Sequence, residues 1–239
     1  MNNDPAMRAV NDNKSFCMGF LRRRTCVTPT WRGWLLLVFI FMAVSIMAVR
    51  NAYFFLAPTD PIPGEGGMLV VEGWGPDWMM ADAIHEFQTG RYDGLCATGG
   101  PIEKGEMFAE YKTYAELSAA SILKMGIDPK LVHAIPAFAV KRDRTYASAM
   151  ALKKWLRDHG VKPGRINLVS GGAHSRRSRL LYEYVFGKDP KIGIIALPDP
   201  DEEIDPRKWW TTSAGFRAVT GEMIAYVYAR FLFKIPNEE

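Results

Sequence analysis

One short stretch of the sequence concentrates groups that can bind and protonate an anion. Residues 171–179, GGAHSRRSR, follow the apolar run INLVS and place His174, Arg176, Arg177 and Arg179 within six residues. Imidazole suits acid–base work near neutral pH, and guanidinium groups bind carboxylates and phosphates through paired hydrogen bonds. The stretch therefore predicts either an anion site or internal ion pairs at a point where a strand turns into a helix.

A helical projection divides these cations into two groups. In a helix from about residue 173, one face has cations in its first turn and apolar residues in the later turns. The opposite face is charged throughout. Arg179 on the charged face is supported by Glu183 four residues on, which is typical of a solvated surface. Arg177 on the other face is expected either to form a buried salt bridge, for example with Glu72, or to bind an anionic ligand beside His174. The first face consists of His174, Arg177, Ser178, Leu181 and Val185, and the second of Arg176, Arg179 and Glu183.

A second helix shows the same arrangement. Over residues 143–159 the projection places Lys153, Lys154 and Arg157 on the outward face. The inward face consists of small polar residues followed by apolar ones. The first inward residue is a threonine that follows two cations, which favours a ligand for this end of the helix. The inward residues are Thr145, Ser148, Ala149, Leu152 and Leu156.

The whole sequence alternates short apolar runs rich in β-formers with longer helical periods. The strand-like runs are MLVVEG, LCATGG, LVHAIPA, INLVSGG and IGIIAL, and the helical segments between them end at Gly90, Gly126, Gly160 and Gly187. Glycines commonly follow helix ends, and strands without polar alternation are typical of parallel sheets covered on both faces. We therefore predict a Rossmann-like α/β fold with a mostly parallel sheet of about five strands and helices on both faces. Helices are expected over residues 105–126 and, at the end of the chain, 213–233.

Ligands of open α/β sheets bind beyond the carboxyl ends of the strands, which here bring the candidate residues to one edge. His174 is the candidate acid or base, and Arg177 the candidate group that stabilises developing charge. The glycine pair after the second strand fits either a phosphate-binding turn or an ordinary tight turn. The candidate ligand-binding residues are Glu72, Gly73, Trp74, Thr98, Gly99, Gly100, Lys141, Arg144, Thr145 and Ser170.

Composition and motifs argue against several classes of function. Residues 1–33 carry the whole formal net charge of +4, so the rest of the chain is about neutral. A neutral domain argues against nucleic-acid binding. His85, His133 and His159 lack ligand spacing with Cys, Asp or Glu, so no metal site is expected. Neither GxSxG nor GxGxxG occurs, and the sequence identifies no cofactor. Cys96 is the one cysteine beyond residue 33, so a disulfide within the domain is ruled out.

An uncharged run marks the N-terminal part as membrane-associated. Between Arg32 and Arg50 lie 17 uncharged residues, which as a helix cover about 25 Å of a hydrocarbon core near 30 Å. The long basic leader favours a retained anchor over a cleaved signal peptide, and it orients the N-terminus towards the cytoplasm. The predicted organisation is a basic cytoplasmic leader (1–33), a transmembrane anchor (34–56), a Pro/Gly linker (57–66) and an extracytoplasmic α/β domain (67–239).

Four motifs stand out in the predicted domain. They are MLVVEG with Gly73, TGG at Thr98 to Gly100, RTYASA with Thr145, and the V-S-x-x-x-H-x-x-R segment with Ser170, His174 and Arg177. In combination these motifs resemble the ElyC/SanA/YdcF family of bacterial envelope proteins, in particular a subgroup with VVEGW and DRTY. The resemblance covers about residues 67–233 and the N-terminal anchor.

The chain departs from the family pattern at several of these positions. Glu72-Gly73-Trp74 stands where many members have a pair of glycines, and Arg144 and Ser148 stand where the family has asparagines. The family also has an acidic residue early in the helix after TGG. The candidates for this residue are Glu106, Glu110 and Glu116.

The resemblance implies a role in envelope integrity and in the handling of lipid-linked cell-wall precursors such as those of peptidoglycan. Three functions remain open at this stage. The first is an enzyme that acts on a phosphate-containing envelope substrate. The second is a non-catalytic module that binds a phosphorylated or lipid-linked molecule in the same cleft. The third is a scaffold in an inner-membrane complex. A scaffold would use the aromatic C-terminal helix.

The orientation of the anchor can be tested in intact cells. A membrane-impermeant thiol reagent is expected to label a cysteine introduced between residues 58 and 66, whereas Cys17 and Cys26 stay protected, because the basic residues hold the leader in the cytoplasm. The reverse labelling pattern would place the domain in the cytoplasm and contradict an envelope role.

Overall fold

The computed structural model describes residues 29–103, 110–198 and 204–235, together with the backbone of two short strands near the N-terminus. The chain forms two compact units, residues 1–47 and 48–239. In the first unit β1 (Ser15–Phe16) pairs antiparallel with β2 (Leu21–Arg22). The helix α1 (Trp31–Leu56) starts in the first unit and ends in the second.

The second unit is built on a five-stranded parallel sheet in the order β5-β4-β3-β6-β7, with helices on both faces. This confirms the predicted α/β fold, and each strand-like run of the sequence forms one strand. The elements are β3 (Met68–Glu72), α2 (Asp77–Thr89), β4 (Gly94–Gly99), α3 (Tyr114–Lys124), β5 (Val132–Pro136), α4 (Arg144–Asp158), β6 (Arg165–Gly171), α5 (Ser175–Phe186), β7 (Lys191–Leu197) and α6 (Ser213–Phe231), with 3-10 turns at Gly172–His174 and Trp209–Thr211.

Burial of both faces explains why the strands lack polar alternation. Along β3, Met68 and Val70 point to a core shared with α4, α5 and α6, whereas Leu69 and Val71 point to a core shared with α2 and α3. Successive side chains of a strand face opposite sides, so a sheet covered by helices needs apolar residues at every position.

The helices confirm the predicted inward faces. Ser178, Leu181 and Val185 of α5 are buried, as are Ala149 and Leu152 of α4, while the cations at 153, 154 and 157 are exposed. The opposite face of α5, predicted as solvated, is partly buried: Arg179 pairs with Glu183 at 2.9 Å and with Asp60 at 2.8 Å, and Arg176 donates a hydrogen bond to the Phe55 carbonyl.

The helix expected over residues 105–126 is shorter than predicted. In the described part of this segment, helix α3 begins at Tyr114, after Thr113. The Thr113 hydroxyl accepts a hydrogen bond from the Glu116 amide, and the Glu116 carboxylate accepts one from the Thr113 amide. This reciprocal capping box stops the helix from extending towards the N-terminus.

Among the described residues, α1 is the one helix long and apolar enough to cross a membrane, and a membrane anchor and a signal sequence fit it equally. The end of α1 within the second unit is part of a core. Tyr53 and Leu56 are buried with Trp209 and Val219, and the Trp209 indole donates a hydrogen bond to the Val49 carbonyl at 2.9 Å.

The segment predicted as a Pro/Gly linker lies along the sheet. The backbone of Asp60 forms an antiparallel bridge with Ile194 and covers the free edge of β7. The Arg165 guanidinium donates hydrogen bonds to the carbonyl oxygens of Ile62, Gly66 and Gly90. These contacts hold the segment against the domain.

Replacing Arg165 is expected to release this segment. In Arg165→Met the carbonyl groups of Gly66 and Gly90 lose their donor, and that of Ile62 keeps only Asn167, which should lower the free energy of unfolding by about 3 kcal/mol. Arg91→Met is the matched control, because Arg91 forms an exposed ion pair with Glu65 and its loss should cost less than about 1 kcal/mol. Urea unfolding of the two variants measures the difference. Equal stabilities would show that Arg165 does not hold the segment.

Candidate functional site

A cleft of about 1000 Å³ opens at the carboxyl ends of the strands, where α4 and α5 begin. The neighbouring strands β3 and β6 connect to opposite sides of the sheet, so the crevice between their ends is the position at which open α/β sheets bind ligands. Glu72 ends β3, and His174 follows the end of β6. The cleft therefore combines residues that are about a hundred positions apart in the sequence.

Glu72 is a buried carboxylate, with a side chain only 4% exposed. Its oxygens accept hydrogen bonds from the hydroxyl groups of Ser170 and Ser178, and one oxygen lies 3.5 Å from His174 Nε2. Burial opposes ionisation of Glu72, but the His174 charge and these hydrogen bonds outweigh it and lower the pKa of the carboxyl group. Glu72 is thus a negative charge held inside the protein.

His174 lies between two carboxylates. Its Nδ1 is 2.9 Å from Glu222 Oε1, and its Nε2 faces Glu72 and the Thr145 hydroxyl, which is 3.4 Å away. The Trp74 ring covers it edge-on at 5.2 Å between ring centroids. Burial lowers the pKa of His174, but the charge of Glu72 and the hydrogen bonds to Glu222 and Glu72 raise it to about 9. The imidazole is therefore protonated at neutral pH and donates from both nitrogens.

Arg177 forms a two-pronged ion pair with Glu222 of α6. Its Nε and Nη2 lie 2.8 Å and 3.0 Å from the two oxygens of that carboxylate. Burial opposes ionisation of Glu222, but hydrogen bonds from His174 and Arg177 lower its pKa to about 2. Nη2 also lies 2.8 Å from His174 Nδ1. The two cations share one carboxylate, and Nδ1 can accept from Arg177 when the imidazole loses its proton.

Arg177 was predicted either to form a buried salt bridge or to bind an anionic ligand, and the structure has features of both. An internal partner exists, but it is Glu222 and not Glu72, which is occupied by His174 and two serines. Arg177 also lines the cleft, with a side chain 20% exposed. The guanidinium is therefore both paired and accessible from the cleft.

The mouth of the cleft carries further charges on the loop before α4. Lys141 and Arg142 are exposed, and among the described residues neither has an ion pair. Arg144 pairs with Glu103 at 2.9 Å, and both side chains are about 60% exposed, which makes this pair weak. Asp143 has a left-handed backbone with φ of 61° and makes no side-chain hydrogen bond that caps α4.

The structure brings together most of the predicted site residues. Two lie behind the cleft wall. A Cβ at Gly73 would approach the Tyr114 carbonyl oxygen to 2.6 Å, so this glycine permits close packing, and Ser170 is fully buried against Glu72. The ten predicted residues that line the cleft are Glu72, Trp74, Thr98, Gly99, Gly100, Lys141, Arg144, Thr145, His174 and Arg177.

Of the three acidic candidates from the helix after TGG, Glu106 lies outside the described residues. Glu110 is exposed and does not line the cleft, and the carboxylate of Glu116 is used to cap α3. Among the described residues of this region, Glu103 is the acidic residue that lines the cleft. Within the parts of the chain that the structure describes, no group of three His, Cys, Asp or Glu side chains is placed to hold a metal ion.

Sequence reasoning missed Glu222, the residue that joins His174 to Arg177. It is the one acidic residue in the aromatic helix α6, and a lone carboxylate in such a helix is a signal that could have identified it. The projection also missed Phe138 and Tyr114, which line the cleft from a loop and from the start of α3.

Comparison with models of known protein families, with curated proteins and with solved structures gives no match for this chain. The chemistry of the site therefore follows from its own geometry.

The raised pKa of His174 links stability to pH. Because its pKa is about 9 in the folded protein and 6.5 when unperturbed, the stabilisation is fully present below pH 6.5 and is lost as the pH rises through 9. The loss should be about 3 kcal/mol. Urea unfolding between pH 6 and about 10 measures it, since His174→Gln should lack this decline.

His85→Gln, an exposed position on α2, is the control and should keep the decline. If His174→Gln and the wild type decline alike with pH, His174 is not held in the protonated form.

Proposed function

We propose that the cleft binds a phosphate-containing organic ligand and that the protein is a membrane-anchored component of cell-envelope metabolism. The observation that carries the proposal is the placement of exposed cations at the mouth of one cleft with a protonated histidine and an arginine at its floor. Phosphate groups bind best where guanidinium, ammonium and hydroxyl donors converge.

The positive excess comes from the mouth of the cleft. At the floor Glu72 and Glu222 balance His174 and Arg177, so this part is neutral overall. The lining residues as a whole comprise five cationic and four acidic side chains when His174 is protonated. An anion is therefore expected first at Lys141 and Arg142, with a second group reaching towards the floor.

The N-terminus of α4 supports an anion at this position. The first turn of a helix presents amide N–H groups without intrahelical partners, and the positive end of the helix dipole attracts negative charge. Asp143 does not cap these groups through its side chain, and the Thr145 hydroxyl adds a donor on the same turn.

The size and walls of the cleft favour a phosphorylated organic molecule over inorganic phosphate. About 1000 Å³ is in the upper range of small-molecule sites. Trp74 and Phe138 line it with exposed aromatic surface, and Val140 and Ala137 add aliphatic surface. Such walls suit a sugar or an apolar chain attached to the phosphate.

In an enzyme His174 would act as a general acid. With a pKa of about 9 it carries a proton at neutral pH, and its Nε2 lies next to the Thr145 hydroxyl at the cleft surface. It can thus protonate a leaving oxygen, while Arg177 stabilises negative charge. Binding without turnover is the second candidate function. It is favoured because His174 and Arg177 are both already hydrogen-bonded to Glu222.

Two further features support a location in the envelope. The apolar helix α1 fits a membrane anchor, and the burial of Tyr53 and Leu56 in the domain favours its retention. The basic leader orients the domain to the outside of the cytoplasmic membrane. The resemblance to the ElyC/SanA/YdcF family agrees with a lipid-linked precursor as the ligand.

Thermal unfolding of the purified protein with added compounds tests the proposal. Diphosphate compounds such as a sugar diphosphate should raise the melting temperature, because the anion binds the hydrogen-bond donors of the cleft. Neutral sugars should leave the melting temperature unchanged. A hundredfold excess over Kd stabilises a protein by about 2.7 kcal/mol. Arg142→Ala, at the mouth of the cleft, should weaken the shift, and His174→Ala and Arg177→Ala should remove most of it.

Arg157→Ala provides the matched control, because Arg157 is exposed on the outer face of α4. Arg176→Ala and Arg179→Ala lie on the opposite face of α5 and should likewise keep the shift. If all these variants respond alike, or if no phosphorylated compound shifts the melting temperature, the cleft is not an anion site.

A further inference from the structure

Helix α6 carries large apolar side chains that are exposed, most of them in its C-terminal half. Ile224 is 72% exposed and Phe231 is 75% exposed, values that are unusual for large apolar side chains in a compact domain. These residues share one side of the helix, which we call the α6 outer face, and Thr220 and Gly221 separate its first residue from the others. It consists of Phe216, Ile224, Val227, Tyr228, Phe231 and Leu232.

The opposite face of the same helix is fully used by the domain. Val219 is buried in a cluster with Met223 and Tyr226, and Glu222 reaches the cleft. The helix is therefore positioned by its inner face, and the apolar character of the outer face is not required for packing of the domain.

The end of α1 lies beside α6 within the second unit. Phe55 packs edge-on against Tyr226, with 5.6 Å between the ring centroids, and Tyr53 and Leu56 share a buried cluster with Val219. The C-terminal end of a retained anchor leaves the bilayer at its surface, so residues that contact the end of α1 are expected near the lipid headgroups. The end of α1 contacts α6 through its inner face, and the α6 outer face belongs to the same helix.

The charges around the outer face complement a lipid surface. Arg217, Arg230 and Lys234 are exposed near the two ends of the helix. Glu222 is the one acidic residue of α6, and it points into the cleft. Apolar side chains bordered by cations are typical of helices that lie in the interface of anionic bilayers.

We propose that the α6 outer face lies in the interface of the membrane that α1 spans. The proposal rests on α1 being a retained anchor, and it goes beyond the ligand of the cleft. Because Glu222 and the outer face belong to one helix about 10 Å across, the cleft lies close to the lipid headgroups. A phosphate carried on a membrane lipid then reaches the cleft without leaving the bilayer.

Site-directed spin labelling of the full-length protein in vesicles tests the arrangement. Ile224→Cys and Phe231→Cys are labelled in a background in which Cys17 and Cys26 are serine and the buried Cys96 is kept. The vesicles contain phosphatidylcholine and phosphatidylglycerol. Collision rates with oxygen, which dissolves in lipid, and with a water-soluble nickel chelate are then compared with those at Lys154→Cys, an exposed position on α4.

In the membrane interface the ratio of oxygen to nickel collisions should be several-fold higher at residues 224 and 231 than at residue 154. Similar, water-like ratios at all three positions overturn the proposal. Labels at 224 and 231 that are immobile and reached by neither reagent would identify a protein partner instead of lipid, which also overturns it. None of these outcomes depends on a ligand in the cleft, so the test is independent of the proposed function.

Discussion

The buried carboxylate of Glu72 determines the organisation of the site. A charge at the end of a central strand is unfavourable unless it is neutralised and fully hydrogen-bonded. Ser170 and Ser178 supply hydrogen bonds, and His174 supplies the opposite charge. His174 is thereby held as a cation, and its other ring nitrogen donates to Glu222 of α6, whose charge Arg177 balances. One charge at the centre of the sheet thus fixes the position of two helices.

This series of ion pairs links the packing of the helices to the charges of the cleft. Glu222 holds His174 and Arg177 together, so α5 and α6 cannot separate without breaking the charge balance at the floor of the cleft. The floor is neutral, whereas the mouth carries exposed cations on a loop. Such a division suits a site in which the mouth attracts an anionic ligand and the floor transfers a proton or positions the bound group.

The N-terminal segments also take part in the domain. The last turns of α1 are buried against Trp209 and Val219, and the Pro/Gly segment covers the free edge of β7 and is held there by Arg165. The domain is thus held directly at the end of the apolar helix, with little free chain between them.

Local periodicity and the rule that ligands bind at strand ends were enough to predict the five parallel strands, the inward faces of α4 and α5 and ten of the residues around the cleft. The sequence did not determine which carboxylate meets which cation. Glu222 is 45 residues from Arg177 along the chain, and only the packing of α6 beside α5 brings them together. The protonation of His174 depended on the same step, since a pKa responds to burial and to charges within a few ångströms, and neither can be read from sequence spacing.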